Sequence, residues 1–195
     1  MENISSAPLP KRRVIAYIGL VSLWLVIVPI IIESMAGKVA ATLFYDLPIF
    51  PLAVWLSRDD YRRIPHGRRW VIPAAVVAKI VFGLAISPFM PRTSVNQQAI
   101  NSIRAVHPLA TVIAVCAIGP VVEEVIFRSF FHRLFRRRWI GIALSAIIFG
   151  LLHATDASFF IYAGTSLIFS WAYEKAGLTG STAVHAISNI LSVLL

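Results

Sequence analysis

Apolar residues in this chain come in long runs, and polar residues fall in short clusters between them. The runs cover roughly residues 14–34, 39–56, 70–90 and 107–128, followed by shorter stretches near 139–154, 158–173 and 179–195. A bilayer core takes about 20 apolar residues per helix, fewer where the helix is short or the bilayer thins. The pattern therefore predicts an all-α fold: a polytopic integral membrane bundle of about seven or eight transmembrane helices. The late, short or polar stretches also suit re-entrant or tilted helices buried among the others. The polar segment Pro91–His107 separates the third run from the fourth. Its Ile100, Ile103 and Val106 recur at helical spacing, which suits a helix lying flat on the membrane surface.

The basic residues alternate with the runs. Lys11, Arg12 and Arg13 precede the first run, and Arg58, Arg62, Arg63, Arg68 and Arg69 follow the second. Arg133, Arg136, Arg137 and Arg138 follow the fourth, and Lys175 follows the sixth, whereas Lys38, Arg92 and Arg104 fall on the other side. This asymmetry places the N-terminus and the Arg133–Arg138 cluster in the cytoplasm. The apolar run Val14–Ile32 is longer than the usual 7–15-residue core of a signal peptide, so a retained anchor is expected despite the small residues of Ser34–Ala36.

Composition agrees with the pattern. The chain of 195 residues is 58% hydrophobic and 14% charged, where a soluble domain carries about a quarter charged residues. The net charge of +9 does not point to nucleic acid, because the basic residues are dispersed among membrane loops and form no patch on a soluble element. Cys116 is the single cysteine, which excludes an intramolecular disulfide or a cysteine-based metal site. The organisation expected is one compact membrane domain. Residues 1–106 supply N-terminal membrane helices and the interfacial segment, and residues 107–195 carry the chemistry.

That chemistry rests on a few ionisable residues inside the runs: Glu123, Glu124, Arg128, His153 and His185, with Lys79, Asp46 and Glu33 less deeply placed. A charge near the bilayer centre costs about 2.5–3.5 kcal/mol on insertion scales, so these residues must pair or work. Glu124 and Arg128 are one helical turn apart and can form a structural ion pair. Glu123, about 100° further round the helix, is free to face a cavity. Phe149 and His153 are one turn apart on the next run, as are His185 and Asn189 on the last. A cavity among these helices would collect a glutamate, two histidines and an asparagine. A desolvated carboxylate can act as a general base at neutral pH. Glu123 would take a proton from a water that His153 holds, and His185 with Asn189 would donate to the oxyanion of a tetrahedral intermediate. No G-x-S-x-G elbow and no H-E-x-x-H helix is present. Glu123, His153 and His185 are nevertheless a possible zinc set, since two histidines and a glutamate form a known catalytic ligand group. His132, beside the basic cluster, reads as interfacial. Asp156 reads as a helix cap, and Trp70 and Trp139 as interface anchors.

Three motifs carry a resemblance. Glu123–Arg128, "EEVIFR", fits E-E-x-x-x-R; Phe149–His153, "FGLLH", fits F-x-x-x-H; and His185–Asn189, "HAISN", fits H-x-x-x-[ND]. Their order and separation resemble the CPBP family, the CAAX proteases and bacteriocin-processing enzymes also called Abi, over roughly Val112–Leu195. The resemblance implies an intramembrane endopeptidase with a cavity open to the cytoplasmic side. Glu123 and His153 would activate water, His185 and Asn189 would serve the oxyanion, and Glu124, Arg128 and Phe149 would support the site. It implies a prokaryotic plasma-membrane protein acting on peptide or protein substrates, lipidated ones among them, in peptide or bacteriocin processing or in immunity. No cofactor is favoured; a zinc-dependent endopeptidase on the same residues is the alternative. A non-catalytic membrane scaffold and a small proton-coupled transporter are the competing functions. The transporter is disfavoured by the lack of an internal repeat.

Overall fold

A computed structural model describes residues 9–27, 30, 45–61, 64, 68–91, 95–154 and 156–194. Glu33, Ser34–Ala36, Lys38, Arg62, Arg63, His66, Arg92 and the start of the 39–56 run lie outside the described residues. Every element among the described residues is helical. Helix α1 is Lys11–Ser22, continued by a wide π-type turn over Leu23–Ile27. Helix α2 is Phe50–Ser57, α3 is Val71–Ile86 and α4 is Val95–Val106. Helix α5 runs Pro108–Leu134, α6 Arg138–His153 and α7 Phe159–Leu194.

The boundaries follow from local chemistry. Pro108 opens α5, where a missing N–H costs nothing and the fixed φ suits a first turn. Asp156 Oδ1 accepts the Ser158 N–H at 2.7 Å and caps the start of α7. Gly177 has φ +72°, a conformation that side chains disfavour, and it divides α7 into 159–176 and 178–194. These halves correspond to the last two apolar runs.

Two helices are long and apolar enough to cross a membrane, Val71–Phe89 with 19 residues and Pro108–Leu134 with 27. The expected seven or eight spans are therefore not reached among the described residues. Helix α6 is shorter, and the two halves of α7 are diluted by serines, Glu174 and Lys175. On α3 the side chains of Val77, Val81 and Leu84 are 57%, 58% and 69% exposed, an apolar face suited to lipid.

The N-terminal helices pack on α5. The rings of Tyr17 and Phe130 stack 5.2 Å apart, and Tyr17 Oη lies 2.9 Å from Ser129 Oγ. One end of the bundle gathers the basic residues. Arg13 pairs with Asp59 at 2.5 Å, Arg133 with Asp60 at 2.9 Å, and Arg138 with Glu174, while Arg68 donates to the Lys175 carbonyl at 3.1 Å. Trp70 and Trp139 are exposed near this end. His132 departs from its interfacial reading. It is buried, with Nε2 3.1 Å from Ser170 Oγ and its ring edge-on to Tyr173, because α7 covers the end of α5.

Candidate active site

Glu123 and Glu124 end a short α-helical stretch of α5, Gly119–Glu124, that lies between two wide π-type stretches, Ala114–Ile118 and Val125–Phe131. Pro120 has no N–H to give to the preceding turn, which accounts for local widening, and π-type turns recur at functional sites. The result turns the two adjacent carboxylates to different partners.

Glu124 is fully buried. Its Oε2 lies 3.2 Å from Arg128 Nε, and its Oε1 accepts from His185 Nδ1 at 3.0 Å. Arg128, also fully buried, donates to the Ser166 carbonyl at 3.0 Å and to Ser166 Oγ at 3.1 Å. Its guanidinium carbon lies 5.6–5.8 Å from the ring centres of Phe127, Phe149 and Phe169. A buried cation held by a carboxylate, a carbonyl and three aromatic rings is a structural knot.

Glu123 faces the cavity. His153 Nε2 is 3.7 Å and His185 Nε2 is 3.9 Å from Glu123 Oε2. That oxygen is buried without a hydrogen-bond partner among the described residues. The histidines are held from behind. His153 Nδ1 donates to the Phe149 carbonyl at 2.8 Å, and its ring is sandwiched between Phe149 at 4.2 Å and Tyr162 at 4.9 Å. His185 stacks on Phe169 at 4.5 Å and is fixed at Nδ1 by Glu124. Both rings therefore turn Nε2 to one carboxylate oxygen. Separations of 3.7–3.9 Å are wide for a direct bond and suit a bridging water. Asn189 lines the same cavity, with one amide N–H already given to the Val115 carbonyl at 2.8 Å. No group of three His, Cys, Asp or Glu side chains among the described residues has metal-holding geometry.

The cavity measures about 270 Å³ and is lined by Glu123, His153, His185 and Asn189, and also by Asp46 and Lys79. Sequence reading placed these last two less deeply. Asp46 is buried, its Oδ1 accepting the Trp24 Nε1–H at 2.7 Å. A Cβ at Gly119 would stand 3.2 Å from Asp46 Oδ2 and 3.7 Å from Glu123 Oε1, so glycine keeps the space between the two carboxylates open. The one available hint was an acid inside an apolar run; nothing in the periodicity says which way it faces.

Residues 105–191 match the family model described as type II CAAX prenyl endopeptidase Rce1-like. They include every member of the three motifs. Over that stretch the chain is similar to the CPBP family, to which the three motifs also point. Among curated relatives, the UPF0177 protein YbdJ of Lactococcus lactis is 34% identical over 80 residues, 40% of this chain and 35% of that protein. The UPF0177 protein YbdI of the same organism is 26% identical over 134 residues, 64% of this chain and 74% of that protein. The Bacillus subtilis protein named "Putative membrane peptidase YdiL" is 30% identical over 105 residues, 52% of this chain and 40% of that protein. The chain thus spans about a third of the length of the first of these relatives. No solved structure matches. The likeness to CAAX-type membrane proteases, together with the two long apolar helices, points to a membrane protein.

Proposed function

We propose that this chain is an intramembrane endopeptidase of the CPBP type in which Glu123 activates water. The observation that carries the reading is the buried, unpartnered Glu123 Oε2, with the Nε2 atoms of His153 and His185 on either side at 3.7 and 3.9 Å. A water bound there gives a proton to Glu123 while its oxygen adds to the substrate carbonyl carbon. The oxyanion that forms accepts from the amide of Asn189 and lies beside His185, which Glu124 fixes at Nδ1. When the C–N bond breaks, Glu123 returns the proton to the leaving amine. Glu124, Arg128 and Phe149 position the histidines. Substrates are membrane-associated peptides or proteins, including lipidated ones, and peptide or bacteriocin processing is the biological setting the family favours.

A zinc-assisted reading uses the same residues, because two imidazole nitrogens converge on one carboxylate oxygen. Purified chain in nanodiscs, given a library of quenched peptides that includes prenylated ones, separates the two. Cleavage by the wild type, lost in Glu123→Gln and His153→Ala but kept with a chelator, is the expected result. Loss on chelation with recovery on adding zinc would make Glu123, His153 and His185 ligands. No cleavage by the wild type, with both variants still functional in cells, would leave a scaffold.

A further inference from the structure

One corner of the cavity is rich in hydrogen-bond acceptors and poor in donors. Asp46 is buried, and its Oδ1 is taken by the Trp24 indole N–H at 2.7 Å. Its Oδ2 faces the gap beside Gly119, 3.2 Å from the point where a Cβ would stand. The Ala114 carbonyl oxygen lies 3.2 Å from the same point, and Glu123 Oε1 3.7 Å. Three acceptor oxygens thus surround one small space that glycine keeps free of a side chain. Among the described residues neither carboxylate pairs with a lysine or arginine. Arg128 is held by Glu124, and Lys79, the one lysine of the lining, donates to Ser192 Oγ at 3.1 Å. Tyr45 also lines the cavity, its ring 5.7 Å from that of Trp24. Two carboxylates withdrawn from water into an apolar bundle call for a cationic partner.

The arrangement of the oxygens narrows what that cation can be. An ammonium carries three donors in different directions, and the three oxygens belong to three separate groups. A guanidinium is a flat fork that fits both oxygens of one carboxylate, and Asp46 has already given one of its two to Trp24. Tyr45 offers an aromatic wall to a methylene stem. We propose that the corner formed by Asp46, Gly119 and the Ala114 carbonyl binds a primary ammonium of the substrate peptide, beside the scissile bond at Glu123. The two oxygens of Glu123 then divide the work. Oε2, between the histidines, holds the water, and Oε1 borders the ammonium. Asp46 balances the added positive charge, so Glu123 keeps its own negative one. That the ligand belongs to a substrate rests on the peptidase reading; the ammonium site itself does not.

Binding and cleavage are read separately. Glu123→Gln keeps a side-chain oxygen in place and removes the base, so it serves as the background. In phosphatidylcholine nanodiscs it is titrated with apolar tripeptide amides, N-acetylated and carrying lysine, arginine or the uncharged isostere norleucine at each position in turn. The norleucine peptides are also given with a free N-terminus. A primary ammonium binds about tenfold or more tightly than its uncharged counterpart, as a charge-assisted bond requires, and lysine binds more tightly than arginine. A preference among the acetylated peptides assigns the site to a lysine side chain, and one seen only with the free N-terminus assigns it to the terminal amine. Adding Asp46→Asn, which leaves Trp24 an acceptor and removes the charge, abolishes the preference. Gly119→Ala, which fills the gap, weakens it. Equal binding of charged and uncharged peptides overturns the assignment, and so does a preference that survives Asp46→Asn. Loss of the preference in phosphatidylethanolamine nanodiscs, with that lipid itself bound only when Asp46 is present, would overturn the peptide ligand in favour of a lipid amine. A lysine preference with no cleavage of any peptide by the wild type keeps the ammonium site and removes the peptidase. Cleavage by the wild type with no preference does the reverse.

Discussion

At the scale of single residues, Glu123 and Glu124 show how adjacent, chemically identical side chains acquire different work. Glu124 is locked between Arg128 Nε at 3.2 Å and His185 Nδ1 at 3.0 Å, whereas Glu123 keeps an oxygen without a partner in the cavity. Breaking a buried ion pair from one side leaves an uncompensated charge and costs about 3–5 kcal/mol. Glu124→Ala is therefore expected to unfold at markedly lower temperature in detergent, and the double variant Glu124→Gln, Arg128→Met to recover part of the loss. Equal stability of Glu124→Ala and wild type would show that the pair carries no structural load. The Glu124–Arg128 contact was legible in the sequence, since four residues on one helix make neighbours. The Glu124–His185 bond was not, because 61 residues separate the partners and no local pattern reports a tertiary contact. Reading His185 with Asn189 as a free donor pair missed that Glu124 holds one end of the histidine and that the Val115 carbonyl holds Asn189.

At the scale of elements, close helix contacts depend on where a side chain is missing. A Cβ at Gly141 on α6 would meet the Phe131 carbonyl oxygen of α5 at 2.5 Å and the His132 Cα at 2.9 Å. Both are backbone atoms, which cannot swing away. Gly83 on α3 has nothing within 4 Å. Gly141→Ala should therefore cost about 1–3 kcal/mol through forced separation of α5 and α6 and lower the proposed peptidase activity, because α6 carries Phe149 and His153. Gly83→Ala should be neutral or stabilise by up to about 1 kcal/mol from helix propensity. Thermal unfolding of the two variants side by side tests this, and similar melting temperatures would contradict it. The runs of apolar residues located the helices, and the F-x-x-x-H spacing placed the Phe149–His153 stack, because period and turn length are local properties. The close approach at Gly141 was not legible, since the partner of a glycine leaves no trace in the glycine's own segment. Nor did periodicity alone reveal that Asp46 turns inward, from a segment that carries no family motif.

At the scale of the molecule, the two ends differ in charge and in openness. The basic end is tied together by Arg13, Arg68, Arg133 and Arg138 with Asp59, Asp60, Glu174 and the Lys175 carbonyl. Between that end and Glu123 stand fully buried groups, Phe127, Arg128, Ser166 and Ser181 among them. The cavity continues the other way. Its lining on α7 is Ile161, Tyr162 and Thr165 from the first turns and Ser192 and Val193 from the last, with Gln97 and Ile100 of α4 at the margin. Because α7 turns at Gly177 beside the basic end, both sets belong to the far end. The resemblance implied a cavity open to the cytoplasm, yet the positive-inside rule assigns the arginine-rich end to that side. The two expectations conflict, and the packing favours entry from the opposite face. In a Cys116→Ala background, Arg136→Cys should react with a membrane-impermeant maleimide only after permeabilisation. Asn101→Cys, on the exposed face of α4, should react in intact cells. The reverse pattern would place the cavity mouth in the cytoplasm and make the arginine-rich end the outer one. Equal labelling of both in intact cells would contradict a single orientation. With the expected pattern, an exported or outer-leaflet peptide reaches Glu123 without passing the buried Arg128 layer.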